Sequence, residues 1–127
     1  IPVLFLITAC TPEQVSTFIS LDRENKDDLV KHVIVDAANE FGVKPTLLLK
    51  MAECESGFDP TIKNRGGTGA TGLFQFLPST WRSNLWRFDY TEADIYNPVA
   101  QARTAAEMVA QGSTAWTASF SCWGSYA

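Results

Sequence analysis

Apolar side chains recur at helical spacing through most of the chain beyond residue 26. The first such stripe is formed by Leu29, Val33, Ala37 and Phe41. This spacing is typical of an amphipathic helix that packs one face on a core. We expect the helix to begin at Asp27 or Asp28 and to end at Gly42, because glycine commonly terminates helices.

Prolines and glycines mark the ends of three further predicted helices. "PTLLLKMAECES" begins at Pro45, which suits the first position of a helix, and Gly57 ends it. "PSTWRSNLW" begins at Pro78, and a fourth helix begins near Pro98 and closes at Gly112. No segment shows the alternation expected of a half-buried strand. The chain is therefore predicted to be all-α.

The composition narrows the possible functions. The chain has 127 residues, of which 46% are hydrophobic and 19% charged, and this fits one globular domain. Its net charge is −4 and it has no basic stripe, so nucleic acid is not expected as a partner. His32 is the only histidine and no calcium-loop spacing of aspartates occurs, so we expect neither a metal nor a cofactor.

The first ten residues, "IPVLFLITAC", are typical of the apolar core of a secretory signal without its methionine and basic start. We therefore expect the chain to be truncated within this signal. "ITAC" resembles a bacterial lipobox, in which Cys10 would carry a lipid anchor; the alternative is a buried N-terminal strand. Residues 11–26 are polar and predict a tether, and residues 27–127 then form the domain.

Export would also change how the cysteines are interpreted. Lipidation would use Cys10, and Cys54 and Cys122 could then pair in an oxidising compartment. Such a disulfide would tie the second predicted helix to the C-terminal segment. Two free buried thiols are the alternative, and the sequence does not decide between them.

A glycine-rich stretch from Gly67 to Gly72 fits G-x-G-x-x-G, the pattern of a dinucleotide-binding turn. That turn requires a preceding strand and a helix that begins at the last glycine. The preceding "DPTIKNRG" is polar and interrupted by Pro60, and the apolar piece after Gly72 stops at Pro78. A nucleotide site is therefore not expected. The glycines instead predict a tight turn or a close approach of the backbone to another group.

One carboxylate lies on an apolar helix face. Leu48, Met51, Ala52 and Glu55 share one face of the second predicted helix, whereas Glu53 points elsewhere. An apolar surround and the partial negative charge of a helix C-terminus both favour the protonated form of Glu55. A protonated carboxyl can act as a general acid, as cleavage of a glycosidic bond requires. The alternative is a glutamate that packs its stem and is capped by arginine or backbone amides.

The residues around Glu55 resemble the soluble lytic transglycosylase family of lysozyme-like enzymes. The family pattern is Glu-Ser, an aromatic and a proline, then Gly-x-x-Gly-Leu-x-Gln, then proline and threonine. The matching residues are Glu55, Ser56, Phe58, Pro60, Gly69, Gly72, Leu73, Gln75, Pro78 and Thr80. "NPVAQARTAAEMV" is similar to the family's Asn-Pro helix. The resemblance implies an all-α, lysozyme-like fold with a substrate cleft between the Glu55 helix and the loop through Gln75.

The resemblance also implies an activity. Family members cleave peptidoglycan between N-acetylmuramic acid and N-acetylglucosamine, and their first-motif glutamate, here Glu55, serves as acid and then as base. The implied product is an anhydro-muramyl sugar. Five residues are expected to line the cleft or to let the loop approach the glycan: Ser56, Gly72, Phe74, Gln75 and Phe76.

The C-terminal segment departs from the family pattern. It contains "SFSCWGSYA" where the family often has Ala-Tyr-Asn-x-Gly. The tyrosine that would hydrogen-bond near the acid therefore has only Tyr96 or Tyr126 as candidates. This leaves a hydrolytic product open, and a hydrolase would need a group such as Asp59 or Asp94 to hold the attacking water.

Two other functions stay open at this stage. A non-catalytic module that keeps the fold would bind glycan strands without cleaving them. The chain could also be a lipoprotein of a secretion or conjugation apparatus, or a phage-derived wall-piercing protein, and this role is compatible with catalysis. In every case we expect a monomer in the periplasm or cell envelope that meets the membrane only through a lipid anchor.

Overall fold

The computed structural model describes residues 11–13, 23–64 and 66–127, so the predicted signal segment with Cys10 lies outside the described residues. Five α-helices lie wholly within these ranges: α1 (Arg23–Phe41), α2 (Pro45–Ser56), α3 (Pro78–Ser83), α4 (Pro98–Ala110) and α5 (Phe120–Trp123). Short 3₁₀ helices cover Leu85–Arg87, Glu92–Tyr96, Thr117–Ser119 and Gly124–Tyr126. The described residues form two isolated β-bridges and no strand. The prediction of an all-α fold is confirmed.

The ends of α2 and α4 lie where the sequence places them. Pro45 begins α2, and Gly57 ends it in the left-handed conformation with its N–H bonded to the Glu53 carbonyl at 2.9 Å. The Asn97 side chain caps α4 by accepting from the first free backbone N–H groups, and Pro98 follows. These local signals place Glu55 in the last turn of α2.

Two helix boundaries differ from the predictions. α1 begins at Arg23 rather than at Asp27 or Asp28, with Glu24 in its first turn, where a carboxylate stabilises the positive end of the helix dipole. The last four residues of the predicted tether are thus helical. α3 stops at Ser83, because the Asn84 side chain donates to the Thr80 carbonyl at 2.7 Å and competes with the helical backbone pattern.

The hydrophobic core lies between α1, α2 and α4. α1 packs against both other helices. α2 contributes the buried stripe that the sequence predicts, including Leu48 and Met51. α4 is buried on most of its surface, and its fully buried alanines let neighbouring elements approach closely: Ala100, Ala102, Ala105 and Ala106. In the described ranges, no helix is both long and apolar enough to cross a membrane.

An ion pair fixes the connector between α3 and α4. Arg103 of α4 donates to both carboxylate oxygens of Glu40 on α1, at 2.9 and 2.7 Å, and to the Tyr90 hydroxyl at 3.0 Å. The hydrogen bonds that Arg103 donates to Glu40 raise the pKa of Arg103 above its usual value, and burial raises the pKa of Tyr90. The connector therefore has a fixed position against α1 and α4, and it brings the Ile95 carbonyl next to α4.

Candidate active site

Glu55 is half-buried in the last turn of α2, one helical turn after the buried Met51 and Ala52. Its Oε2 atom is buried and has no hydrogen-bond partner within the described part of the chain. Buried polar atoms without partners are uncommon in proteins. The other such atom among the described residues is Oδ2 of Asp36, but it lies 3.6 Å from Nε2 of His32. Glu55 therefore has one carboxyl oxygen whose hydrogen-bonding capacity no described residue uses.

The two residues that flank Glu55 connect α2 to other parts of the chain. Cys54 forms a disulfide with Cys122, with the two Cα atoms 6.2 Å apart, so the two cysteines are not free thiols. The Ser56 hydroxyl lies 2.7 Å from the Leu73 carbonyl and 3.1 Å from the Ala52 carbonyl. The disulfide holds the C-terminal segment on one side of the glutamate, and Ser56 holds the glycine-rich loop on the other.

The glycine-rich loop ends in a tight turn, residues 71–76, which we call the 71–76 turn. Thr71 and Phe76 exchange two backbone hydrogen bonds of 2.9 and 3.1 Å and so close it. Gly72 and Gln75 both have positive φ, of 83° and 54°. The Gln75 side chain donates to the Gly72 carbonyl at 3.1 Å and to the Ile62 carbonyl at 3.3 Å. Gln75 thus helps to hold the turn in one conformation, and its place in a substrate cleft stays a prediction.

The two phenylalanines of the turn differ from the sequence-based expectation. Phe74 is 0% exposed and Phe76 is 2% exposed. Both rings make edge-to-face contacts with Trp116, and Phe76 also contacts Trp81 at 5.1 Å between ring centroids. Because the core covers their rings, neither side chain presents a face for stacking on a sugar.

Gly72 makes a close approach, but to a protein group. A Cβ atom at this position would lie 2.2 Å from Nε2 of Gln101 and 2.8 Å from the Ile95 carbonyl. The glycine pattern of the sequence predicts the close approach but does not identify Gln101 as the neighbour. The available signal is a glutamine within an otherwise small and apolar part of α4, where it has to be buried.

The other candidate groups lie in local structures of their own. Asp59 accepts hydrogen bonds from the Thr61 backbone and hydroxyl at 2.8 and 2.6 Å, and Asp94 caps the 3₁₀ helix Glu92–Tyr96. Tyr96 and Tyr126 are exposed, and the Tyr126 ring lies 5.6 Å from the Lys50 ammonium. Within the described residues, no hydrogen bond joins Glu55 to these groups. Their roles in catalysis stay predictions.

An open cavity of about 520 Å³ borders Ser56, the residue after the candidate acid, but its lining includes neither Glu55 nor any residue of the 71–76 turn. Its lining runs from Ser56 through Asp59 to Ile62 and includes Lys26 and Asp27 at the start of α1. A cavity of this size lies within the range of small-molecule binding sites. Over the ranges that the structure describes, no cluster of three or more His, Cys, Asp or Glu side chains could bind a metal ion.

The helical fold of the described residues is the one expected of a lysozyme-like domain, with Glu55 half-buried at the end of α2. Residues 32–127 match the family model of the transglycosylase SLT domain. The match spans well over half of the chain, so the chain belongs to this family, and the resemblance found in the sequence is confirmed. Members of the family act on peptidoglycan in the cell envelope, and this is the class of function to which the chain belongs.

Proposed function

We propose that this chain is a lytic transglycosylase that cleaves the β-1,4 bond between N-acetylmuramic acid and N-acetylglucosamine, with Glu55 as its single acid and base. One observation carries the proposal. This chain belongs to the family, and its Glu55, at the end of α2, has a buried carboxyl oxygen that no described residue binds. The neighbouring contacts of Cys54 and Ser56 support it, because they fix the position of the backbone at Glu55.

The proposed reaction has two proton transfers and consumes no water. Glu55 donates its proton to the glycosidic oxygen, the bond from that oxygen to the anomeric carbon breaks, and the N-acetylglucosamine side leaves as an alcohol. The Glu55 carboxylate then accepts the proton of the muramyl 6-hydroxyl while that oxygen bonds to the anomeric carbon. The product is an anhydro-muramyl sugar, and Glu55 is protonated again.

The remaining site residues have more limited roles in this proposal. Ser56 and Gln75 hold the wall beside Glu55 and contact the sugar from there. Gly72 acts by allowing the turn to pack closely against α4. Phe74 and Phe76 support the wall from the core, and no stacking role is proposed for them.

We propose that residues 23–127 form the catalytic domain and that it works in the periplasm or cell envelope. The Cys54–Cys122 disulfide supports export, because disulfides persist in oxidising compartments. Lipidation of Cys10 and the tether role of residues 11–22 stay parts of the proposal. The domain is proposed to act as a monomer, with glycan strands as its partner.

A release assay separates this proposal from a non-catalytic glycan-binding module. Purified chain is incubated with insoluble peptidoglycan, and soluble sugar fragments are measured against time together with the amount of protein that sediments. The proposal predicts release that increases linearly with protein concentration. Sedimentation of folded protein without any release would reject the enzyme and leave the binding module.

A lysozyme-type hydrolase is the second candidate function. Asp59 borders the same cavity as Ser56 and lies four residues beyond Glu55. A carboxylate in that place could hold the water that a hydrolase needs. The chemical form of the product distinguishes the two reactions.

A further inference from the structure

The 71–76 turn is held by side chains from three elements outside it. Ser56 of α2 bonds to the Leu73 carbonyl, Trp116 donates its indole N–H to the Phe74 carbonyl at 2.8 Å, and Gln101 of α4 bonds to Thr71 and Phe74. Among these three, Gln101 is 0% exposed. A polar side chain at this depth requires its hydrogen bonds, because water cannot replace them.

The Gln101 amide uses both its donors and its acceptor. Nε2 donates to the Thr71 carbonyl at 2.8 Å and to the Ile95 carbonyl, and Oε1 accepts the Phe74 backbone N–H at 2.8 Å. These partners are the first residue of the turn, a residue inside the turn and a residue of the connector between α3 and α4. A fully satisfied buried amide fixes its partners in one geometry.

Gly72 complements this amide. Any side chain at Gly72 would collide with Gln101, since a Cβ would lie 2.2 Å from Nε2. The positive φ of Gly72, 83°, also favours glycine. Gly72 and Gln101 therefore form one lock, in which the missing side chain of one makes room for the amide of the other.

We infer that Gln101 is a positioning residue of the active site. It fixes the turn that carries Gln75 and the Leu73 carbonyl, and Ser56 connects that turn to the helix of Glu55. Gln101 touches no substrate, since it is fully buried. The inference rests on the proposed function for its catalytic consequence, but the lock itself can be tested without any turnover.

The Gln101→Leu variant tests the lock directly. Leucine fills a similar volume but leaves the Thr71 carbonyl and the Phe74 N–H without partners. We expect the Phe74 amide to exchange its hydrogen at least about tenfold faster, because opening of the turn no longer breaks a hydrogen bond from the core. Exchange in α4 itself should change little. The measurement is residue-resolved hydrogen exchange by nuclear magnetic resonance.

Turnover gives the second readout of the same variant. At a temperature where Gln101→Leu is fully folded, kcat should fall by about tenfold to a hundredfold with little change in KM, since a small displacement of a catalytic wall affects the transition state most. Thr104→Val is the matched control: it removes a buried polar group from the same helix, one turn later. This variant should keep the wild-type kcat and Phe74 exchange.

Three outcomes judge the inference. Unchanged Phe74 exchange in folded Gln101→Leu would overturn the lock, and an unchanged kcat with faster exchange would overturn its positioning role. If the wild type itself releases no sugar, the proposed function fails. Phe74 exchange then still decides whether Gln101 holds the 71–76 turn, and glycan sedimentation decides whether Gln101 affects binding.

A pair of substitutions tests the link between Gly72 and Gln101. Gly72→Ala should lower the free energy of unfolding, and the double variant with Gln101→Ala should lose less than the sum of the two single losses, because the new Cβ no longer meets Nε2. Where Gly72→Ala does not fold, a higher yield of folded protein from the double variant is the expected result. Effects of the two substitutions that simply add would overturn the lock.

Discussion

The Glu55→Gln substitution is expected to lower peptidoglycan turnover by about a hundredfold to ten-thousandfold, the usual contribution of a general acid. The amide has nearly the shape of the acid but cannot donate a proton to the leaving oxygen. Since Oε2 of Glu55 has no partner among the described residues, the change breaks no ion pair there. Initial rates of sugar release measure the loss, and sedimentation with peptidoglycan should show that binding is retained.

Glu53→Gln is the matched control for this prediction. Glu53 lies two residues earlier on the same helix, is exposed, and pairs with Lys50 at 2.6 Å. Removing this charge should leave turnover within about twofold of the wild type, because an exposed pair contributes little. Substantial turnover in Glu55→Gln, or an equal loss in both variants, would contradict the assignment of Glu55.

Removal of the disulfide is expected to have the largest effect on stability. The Cys54→Ser, Cys122→Ser double variant should lose about 2–4 kcal/mol of unfolding free energy. The disulfide joins residues separated by 68 positions, so it strongly restricts the unfolded chain. It also holds the segment that contains Trp116, whose indole supports the 71–76 turn. Denaturant unfolding of the wild type and the variant measures the difference.

A reducing agent provides the control for the disulfide. Reductant should lower the unfolding midpoint of the wild type towards that of the double variant and should not affect the double variant. Both proteins retain Cys10, so an effect of the reductant on Cys10 would appear in the double variant as well. Equal midpoints for oxidised wild type and double variant would show that the disulfide does not stabilise the fold.

Local signals account for the parts of the site that the sequence predicts. α2 has a proline at its start, a glycine at its end and one apolar stripe, and each of these acts within a few residues. They place Glu55 in the last turn of the helix. The end of α3 is also a local effect, but it depends on the particular hydrogen bond that the Asn84 side chain makes.

Long-range packing determines what the sequence does not predict. The orientation of Phe74 and Phe76 depends on Trp81 and Trp116, and Trp116 lies 42 residues beyond Phe74. The role of Gln101 depends on hydrogen bonds to residues 27 and 30 positions away. Spacing along one helix carries no information about such partners. A glutamine among the apolar residues of α4 therefore indicates that it has hydrogen-bond partners, but not which residues they are.

The form of the newly made glycan ends tests the central claim most directly. Peptidoglycan is digested by the chain in water enriched in heavy oxygen, and the released fragments are weighed by mass spectrometry. We expect fragments with anhydro-muramyl ends, one water lighter than hydrolysis products and without heavy oxygen, and we expect Glu55→Gln to abolish them. Reducing ends that carry heavy oxygen from the solvent would contradict the central claim and would show that the chain is a hydrolase.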